Sequence, residues 1–155
     1  MSESHQEVFP VSQETLENTL LTNEQYLEMY QESVNDPEGF WTKQAQRIQW
    51  MKPFTKVKDV SFNKEDLHIQ WFEDGVLNVS ENCLDRHLPE RENDLAIIWE
   101  PDQEGKAERK ITYGALSREV NQFANGLKSL GVSKGDVVTI YMPMVPEASM
   151  AMLAC

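Results

Sequence analysis

Apolar residues recur along this chain in two rhythms, and the change from one to the other divides it. Residues 1–21 are polar and acidic with scattered apolar positions, which predicts a loosely held arm. Thr22-Asn23-Glu24-Gln25 has the form of a capping box. Behind it Tyr26, Tyr30 and Val34 fall at i, i+4 and i+8 with Leu27 beside them, the spacing of a helix with one buried face. Asp36-Pro37 restarts the chain: Asp36 caps, Pro37 takes the first turn, and Trp41, Ala45 and Ile48 repeat at helical spacing until Pro53 ends the unit. From Leu67 the period becomes two. Leu67, Ile69 and Trp71 alternate with His68, Gln70 and Phe72, and Asp74-Gly75 is a strong two-residue hairpin signal.

Asn78-Val79-Ser80-Glu81 resembles a second capping box and predicts a short helix through Leu88. Leu95 to Trp99 reads as a short buried strand, and Arg109 to Thr112 is expected to pair back onto it across the polar loop 100–108. Thr112 is placed to cap a helix whose stripe is Leu116, Val120, Phe123, Ala124, Leu127 and Leu130, and Gly131 ends it. Val137 to Tyr141 then reads as a strand apolar on both faces, as in a parallel sheet. Pro146 opens a last helix, an almost wholly apolar run to Cys155 with no glycine cap and no basic last turn. The alternation of strand and helix is the α/β signature. The uncapped apolar end gives the expectation that these residues are the front of a longer protein.

Composition narrows the function classes. The 155 residues are 40% hydrophobic with four Trp, enough apolar mass for a core, and carry a formal net charge of −12. That charge argues against nucleic acid and against anionic membrane surfaces, which would repel it. No stretch approaches the ~18 uninterrupted apolar residues of a membrane span. The first residues show no basic or apolar leader pattern. Cys83 and Cys155 make no disulfide framework. The expectation is a soluble protein of a reducing, cytoplasmic compartment.

The chain offers little chemistry of its own. Gly126, Gly131 and Gly135 are spaced as helix interior, cap and turn. The glycine-rich fingerprints that converge N–H groups on phosphate are absent. Cys83 and His87 at i, i+4 could place two ligands on one metal, but a zinc site needs three or four protein ligands, and the pair reads instead as one helix face packed against the hairpin. Cys83 as a nucleophile would need a cation beside it. Arg86 or His87 could serve, or could simply pair with Asp85. Asn78-Val79-Ser80 matches a glycosylation pattern but reads as a helix cap. Tyr26, Tyr30, Trp41 and Trp50 read as packing rather than a ligand face.

Two stretches carry a family resemblance. Trp71-Phe72-Glu73-Asp74-Gly75-Val76-Leu77-Asn78, followed by Asn82-Cys83-Leu84-Asp85-Arg86-His87-Leu88, resembles the N-terminal signature of AMP-forming acetyl-CoA synthetases. Ile111-Thr112-Tyr113 with Leu116, Leu130-Gly131-Val132 with Lys134-Gly135-Asp136-Val137-Val138, and Tyr141-Met142-Pro143-Met144-Val145-Pro146-Glu147 resemble the opening of the wider adenylate-forming superfamily. The first stretch is specific to the short-chain acyl-CoA subgroup, and its Asn-Cys-Leu-Asp-Arg-His wording favours acetate over propionate. The resemblance runs from about Tyr26 to Cys155.

The resemblance implies a ligase that converts acetate and Mg-ATP to acetyl-adenylate and pyrophosphate, then lets CoA displace AMP. It places the phosphate loop, acyl pocket, CoA-binding arginines, hinge acid and catalytic lysine downstream of Cys155, so no catalytic, cofactor-binding or metal residue is assigned here. ATP, CoA and Mg are implied for the parent protein and not for this segment. The implied organisation is an arm at 1–21, a helical extension at 22–60, and at 61–155 the start of a large α/β domain truncated within a helix. Partners implied are the remainder of its own chain and acetate, with no nucleic acid and no membrane. The strand Val137 to Tyr141 and the apolar helix beyond it are expected to drive self-association, weakened by polar substitutions at Met150 and Leu153. The alternative is a stand-alone interaction module, or the same segment of a propionyl-CoA or other short-chain synthetase.

Overall fold

A computed structural model describes residues 9–155. The chain divides into two compact units, Met1–Arg47 with Lys56–Glu73, and Ile48–Thr55 with Asp74–Cys155.

In the first unit, helix α1 spans Gln13–Asn18 and is capped by Ser12, but buries nothing. Helix α2, Asn23–Asn35, opens with the full capping box, Thr22 accepting from the Gln25 amide and the Gln25 side chain accepting from the Thr22 amide. The structure corrects its expected buried face. Tyr26, Tyr30 and Val34 are exposed, and the two tyrosines stack on each other with ring centroids 6.3 Å apart. Helix α3, Pro37–Ala45, starts as the sequence predicts, with the Asp36 carboxylate accepting from the Gly39 amide. It ends before Ile48, and its buried residues are Phe40 and Ala45. Trp41 packs edge-on against Phe40 and Trp71, at 5.2 and 6.0 Å.

The period-two segment is strand β2, His68–Trp71, paired antiparallel to strand β1, Lys58–Ser61, with Ser61 opposite His68 and Lys58 opposite Trp71. The hairpin therefore turns through residues 62–67, upstream of β2, and not at Asp74-Gly75. The β1 segment carries Lys58, Asp59 and Ser61, and its polar pattern hides it from a search for apolar alternation. The strand pair closes where Phe72 adopts φ 50° and its amide donates to the Val57 carbonyl at 2.9 Å. Positive φ is uncommon for a bulky residue and marks a tight turn.

In the second unit the two flanks of the 56–73 excursion are tied together. The Asn82 side chain donates to the Gln49 carbonyl at 2.9 Å and accepts from the Gln49 amide at 2.8 Å. Lys52 and Val76 form an antiparallel bridge. The Asp74 carboxylate accepts from the Thr55 amide at 2.9 and 3.0 Å and from its hydroxyl at 2.8 Å. Asp74 is thus a clasp on Thr55 rather than a hairpin residue.

Asn78 caps helix α4, Val79–Cys83, by accepting from the Glu81 amide. The helix predicted through Leu88 breaks at Leu84, continues as a 3-10 turn over Asp85–His87, and resumes as α5, Leu88–Arg91, with Pro89 in its first turn. Leu84, at the break, is buried, 3% exposed. Strand β3, Leu95–Trp99, pairs antiparallel with β4, Arg109–Thr112, with an irregularity between Leu95 and Ile97. β3 is half-buried rather than buried, since Ile98 is exposed to solvent.

Thr112 then caps α6, Tyr113–Ser129, accepting from the Ala115 amide at 3.2 Å. Its C-terminus is a full Schellman motif: Val132 donates to Leu127 O at 3.1 Å, Gly131 donates to Lys128 O at 3.0 Å, and Gly131 has φ 90°. Helix α7, Pro146–Ala154, begins at Pro146 as predicted. The core of this unit is Leu84, Ile111, Leu116, Val120 and Met150, with Ala96, Ile97, Tyr113 and Leu153 packed around it. Trp99 donates through Nε1 to the Met144 carbonyl at 2.8 Å, and Arg109 pairs with Glu147 at 2.6 Å, tying the entry of α7 to the β3–β4 pair.

Two expectations fail here. Leu130 leaves the stripe of α6 and is 82% exposed, because the helix has already reached its cap there. Val137 to Tyr141 forms no strand. A strand is defined by its ladder, and no described segment offers one. The described pairs are both antiparallel, so the expected parallel sheet is not formed among the described residues, although the helix-and-strand class stands.

Candidate functional site

Phosphate chemistry is where the family resemblance directs attention, and it depends on N–H groups free to converge on an anion. In the turn after α6, the Asp136 carboxylate already accepts from the Ser133 amide at 2.7 Å and from its hydroxyl at 3.0 Å. Those bonds, the amide first, hold the Asp136 carboxyl below its usual range. The anion position of this turn is therefore filled by the protein itself. A groove of about 380 Å³ beside it is lined by Lys128, Lys134, Gly135, Asp136, Val138 and Cys155 among others, which sets only two cations against that carboxylate.

The glycines give the same answer. A Cβ on Gly39 would meet Asp36 and one on Gly114 would meet Glu92, so both close approaches serve internal packing. Gly126, Gly131 and Gly135 face open space rather than a cradle. The entry of α7 carries Glu147, whose carboxyl is lowered chiefly by Arg109. The Asp136 turn, the entry of α7 and these glycines do not fit the phosphates of ATP or CoA.

Cys83 and His87 lie on different elements, the end of α4 and the 3-10 turn, so the i, i+4 register of one helix is lost. His87 faces the Tyr113 ring at 5.8 Å, and Arg86 donates to the Asn82 side chain at 3.1 Å. Cys83 is an exposed free thiol. No group of three or more His, Cys, Asp or Glu side chains able to hold a metal occurs among the described residues. Trp50 packs edge-on against Phe54 at 5.1 Å, as the packing reading of the aromatics expects.

One polar constellation among the described residues is flagged by no sequence motif. On β1–β2, His68 Nδ1 lies 2.7 Å from the Asp66 carbonyl oxygen and Nε2 lies 3.1 Å from Asp59 Oδ1. Asp59 also binds Lys56, and the Asp66 carboxylate accepts from the Ser61 hydroxyl at 2.8 Å. Asp59, Ser61 and His68 share one face of the hairpin by the strand pairing, while Lys58 lies over the Trp71 ring. Asp59 is held below its usual range, first by Lys56 and then by His68, and His68 is raised, first by Asp59 and then by the Asp66 carbonyl. Lys56 is raised by the same carboxylate. No residue spacing announces this cluster, because the hairpin that builds it turns through a six-residue loop with no two-residue signal.

Two family models match the chain. Residues 26–83 match the acetyl-coenzyme A synthetase N-terminus and residues 84–155 match the AMP-binding enzymes. Together the two matches run from residue 26 to residue 155, each over less than half of the chain. It is 58% identical over 152 residues to an acetyl-coenzyme A synthetase of Shewanella amazonensis, covering 98% of this chain and 23% of that protein. It is 56% identical over 148 residues to one of Novosphingobium aromaticivorans, covering 96% and 23%. An acetoacetyl-CoA synthetase structure from Streptomyces lividans superposes with a TM-score of 0.72 at 26% identity, covering 90% of this chain and 21% of that one. The chain thus spans under a quarter of the length of the relatives it matches. No described helix is long and apolar enough to cross a membrane.

Proposed function

We propose that these residues are the N-terminal scaffold of a cytoplasmic ligase that joins acetate to CoA, with ATP split to AMP and pyrophosphate through an acetyl-adenylate. The observation that carries this is identity of 56–58% with acetyl-coenzyme A synthetases across nearly all of the chain. In this reading the scaffold contributes no catalytic, cofactor-binding or metal residue. Adenylation requires charge stabilisation on the transferred phosphate and a positioned carboxylate, and the donors of the Ser133–Asp136 turn are already committed to Asp136. ATP, CoA and magnesium belong to further parts of the protein, which also cover the extended apolar stretch 137–144.

A pyrophosphate-release assay tests the reading, run with acetate, Mg-ATP and CoA on residues 1–155 and on the product of the complete reading frame. Acetate-dependent release by the complete product alone supports it. Release by residues 1–155 would show a site within them and overturn the scaffold assignment. Propionate and acetoacetate belong in the same assay, since the Streptomyces lividans likeness makes a different short acid the second reading. Faster turnover of either would replace acetate as the substrate.

A further inference from the structure

The two oxygens that face the His68 ring can only accept. A backbone carbonyl, that of Asp66, and a carboxylate, that of Asp59, hold no proton to give at neutral pH. A neutral imidazole has one N–H and would leave one of these contacts as a repulsion between lone pairs. The arrangement as built therefore needs both ring nitrogens protonated. It joins three pieces of backbone: β1 through Asp59, β2 through His68 and the intervening loop through Asp66. Asp59 in turn holds Lys56 at the entrance to β1, and Ser61 holds the Asp66 carboxylate.

We propose that Lys56, Asp59, Asp66 and His68 form a pH-operated clasp on the β1–β2 hairpin, closed while the imidazole carries both protons and released when it loses one. The inference is independent of the proposed ligase activity. The charged groups acting on the ring are Asp59 and Lys56. Glu38 on α3 and Glu73 after β2 act through Lys56, raising it together with Asp59.

The sign follows from the directions of the shifts. His68 is raised above the ordinary histidine value of 6.5, so its contribution is complete below that value and is lost as pH rises through the raised one. Asp59 is lowered from 3.8, so its contribution is present above that value and is lost as pH falls through the lowered one. The clasp is closed between these limits and opens on the alkaline side, above the ordinary histidine value.

Nuclear magnetic resonance of the 155-residue chain tests this directly. At about pH 6 both His68 ring nitrogens should give imidazolium shifts, with a titration midpoint above the ordinary histidine value. The amide resonances of Asp59, Val60, Ile69 and Gln70 should move with that same midpoint. Asp59→Asn should lower the midpoint, and His68→Gln should abolish the titration of those amides. A single neutral tautomer at about pH 6, a midpoint at or below the ordinary value, or ladder amides that ignore the ring would each overturn the clasp. If Asp59→Asn disrupts the hairpin, the ring-nitrogen shifts of the unaltered chain decide the matter alone.

Discussion

Gly126 and Gly131 stand near the same helix end and should answer substitution with opposite signs. Gly131 has φ 90° and open space around it, so a side chain there meets no neighbour and the cost is the left-handed backbone itself. Gly131→Val should lose about 1–2 kcal/mol. Gly126 lies inside α6, and a Cβ added there would have nothing within 4 Å, so Gly126→Ala should gain about 0.5–1 kcal/mol from helix propensity. Denaturant midpoints of the two variants check both, and an unchanged midpoint for Gly131→Val would remove the cap from the account. The Cys83–His87 pair teaches a related lesson: sequence spacing equals spatial spacing only while one helix is continuous, and the break at Leu84 ends that equivalence.

At the level of elements, stability should track burial rather than the apolar stripe. Leu116 is 4% exposed and Leu130 is 82% exposed, although the sequence sets them on one helical face. Leu116→Ala should cost about 2–5 kcal/mol, and Leu130→Ala should fall within about 0.5 kcal/mol of the parent. Equal losses from urea melts would mean that α6 is buried along its whole length. What can be read in advance follows the range of the forces involved. The caps at Thr22, Asp36, Thr112 and Gly131 are satisfied within a few residues, so their signatures are local and they appear where expected. β1 escapes a sequence reading because Lys58, Asp59 and Ser61 show no apolar alternation, and Asp74-Gly75 misleads because its carboxylate serves Thr55 across the excursion. The strand expected at Val137–Tyr141 depends on a partner, which composition cannot supply. The absence of an assigned catalytic residue rests on missing motifs, and the filled Asp136 turn gives that reasoning a physical form without testing it.

At the scale of the whole molecule, the extended stretch with Val137 at 93%, Tyr141 at 100% and Met144 at 93% exposure is an exposed apolar feature. The sequence sets the sticky surface at Val137 to Tyr141 and at the helix beyond, through Met150 and Leu153; of these, Met150 is in the core with Leu153 packed against it. An extended segment with unpaired backbone groups is a template for another strand. Residues 1–155 should therefore self-associate with rising concentration, and polar replacements at Val137, Tyr141 and Met144 together should weaken this. A polar replacement at Met150 should instead unfold the second unit. Sedimentation velocity distinguishes these outcomes, and a monomer at every concentration would refute the association.

The flanks of the 56–73 excursion, held by Gln49 to Asn82, Lys52 to Val76 and Thr55 to Asp74, also constrain how such sequences can be recombined. A crossover between two relatives at any point within the excursion takes one side of each pair from one parent and the other side from the second. Every such chimera must match three stem pairs, and one that crosses between Lys58 and Trp71 must match the hairpin as well. Crossovers before Gln49 or after Asn82 inherit the stem whole. Exchange among these proteins should accordingly be tolerated at the borders of the stem and penalised inside it, so that the segment 49–82 travels as one heritable block.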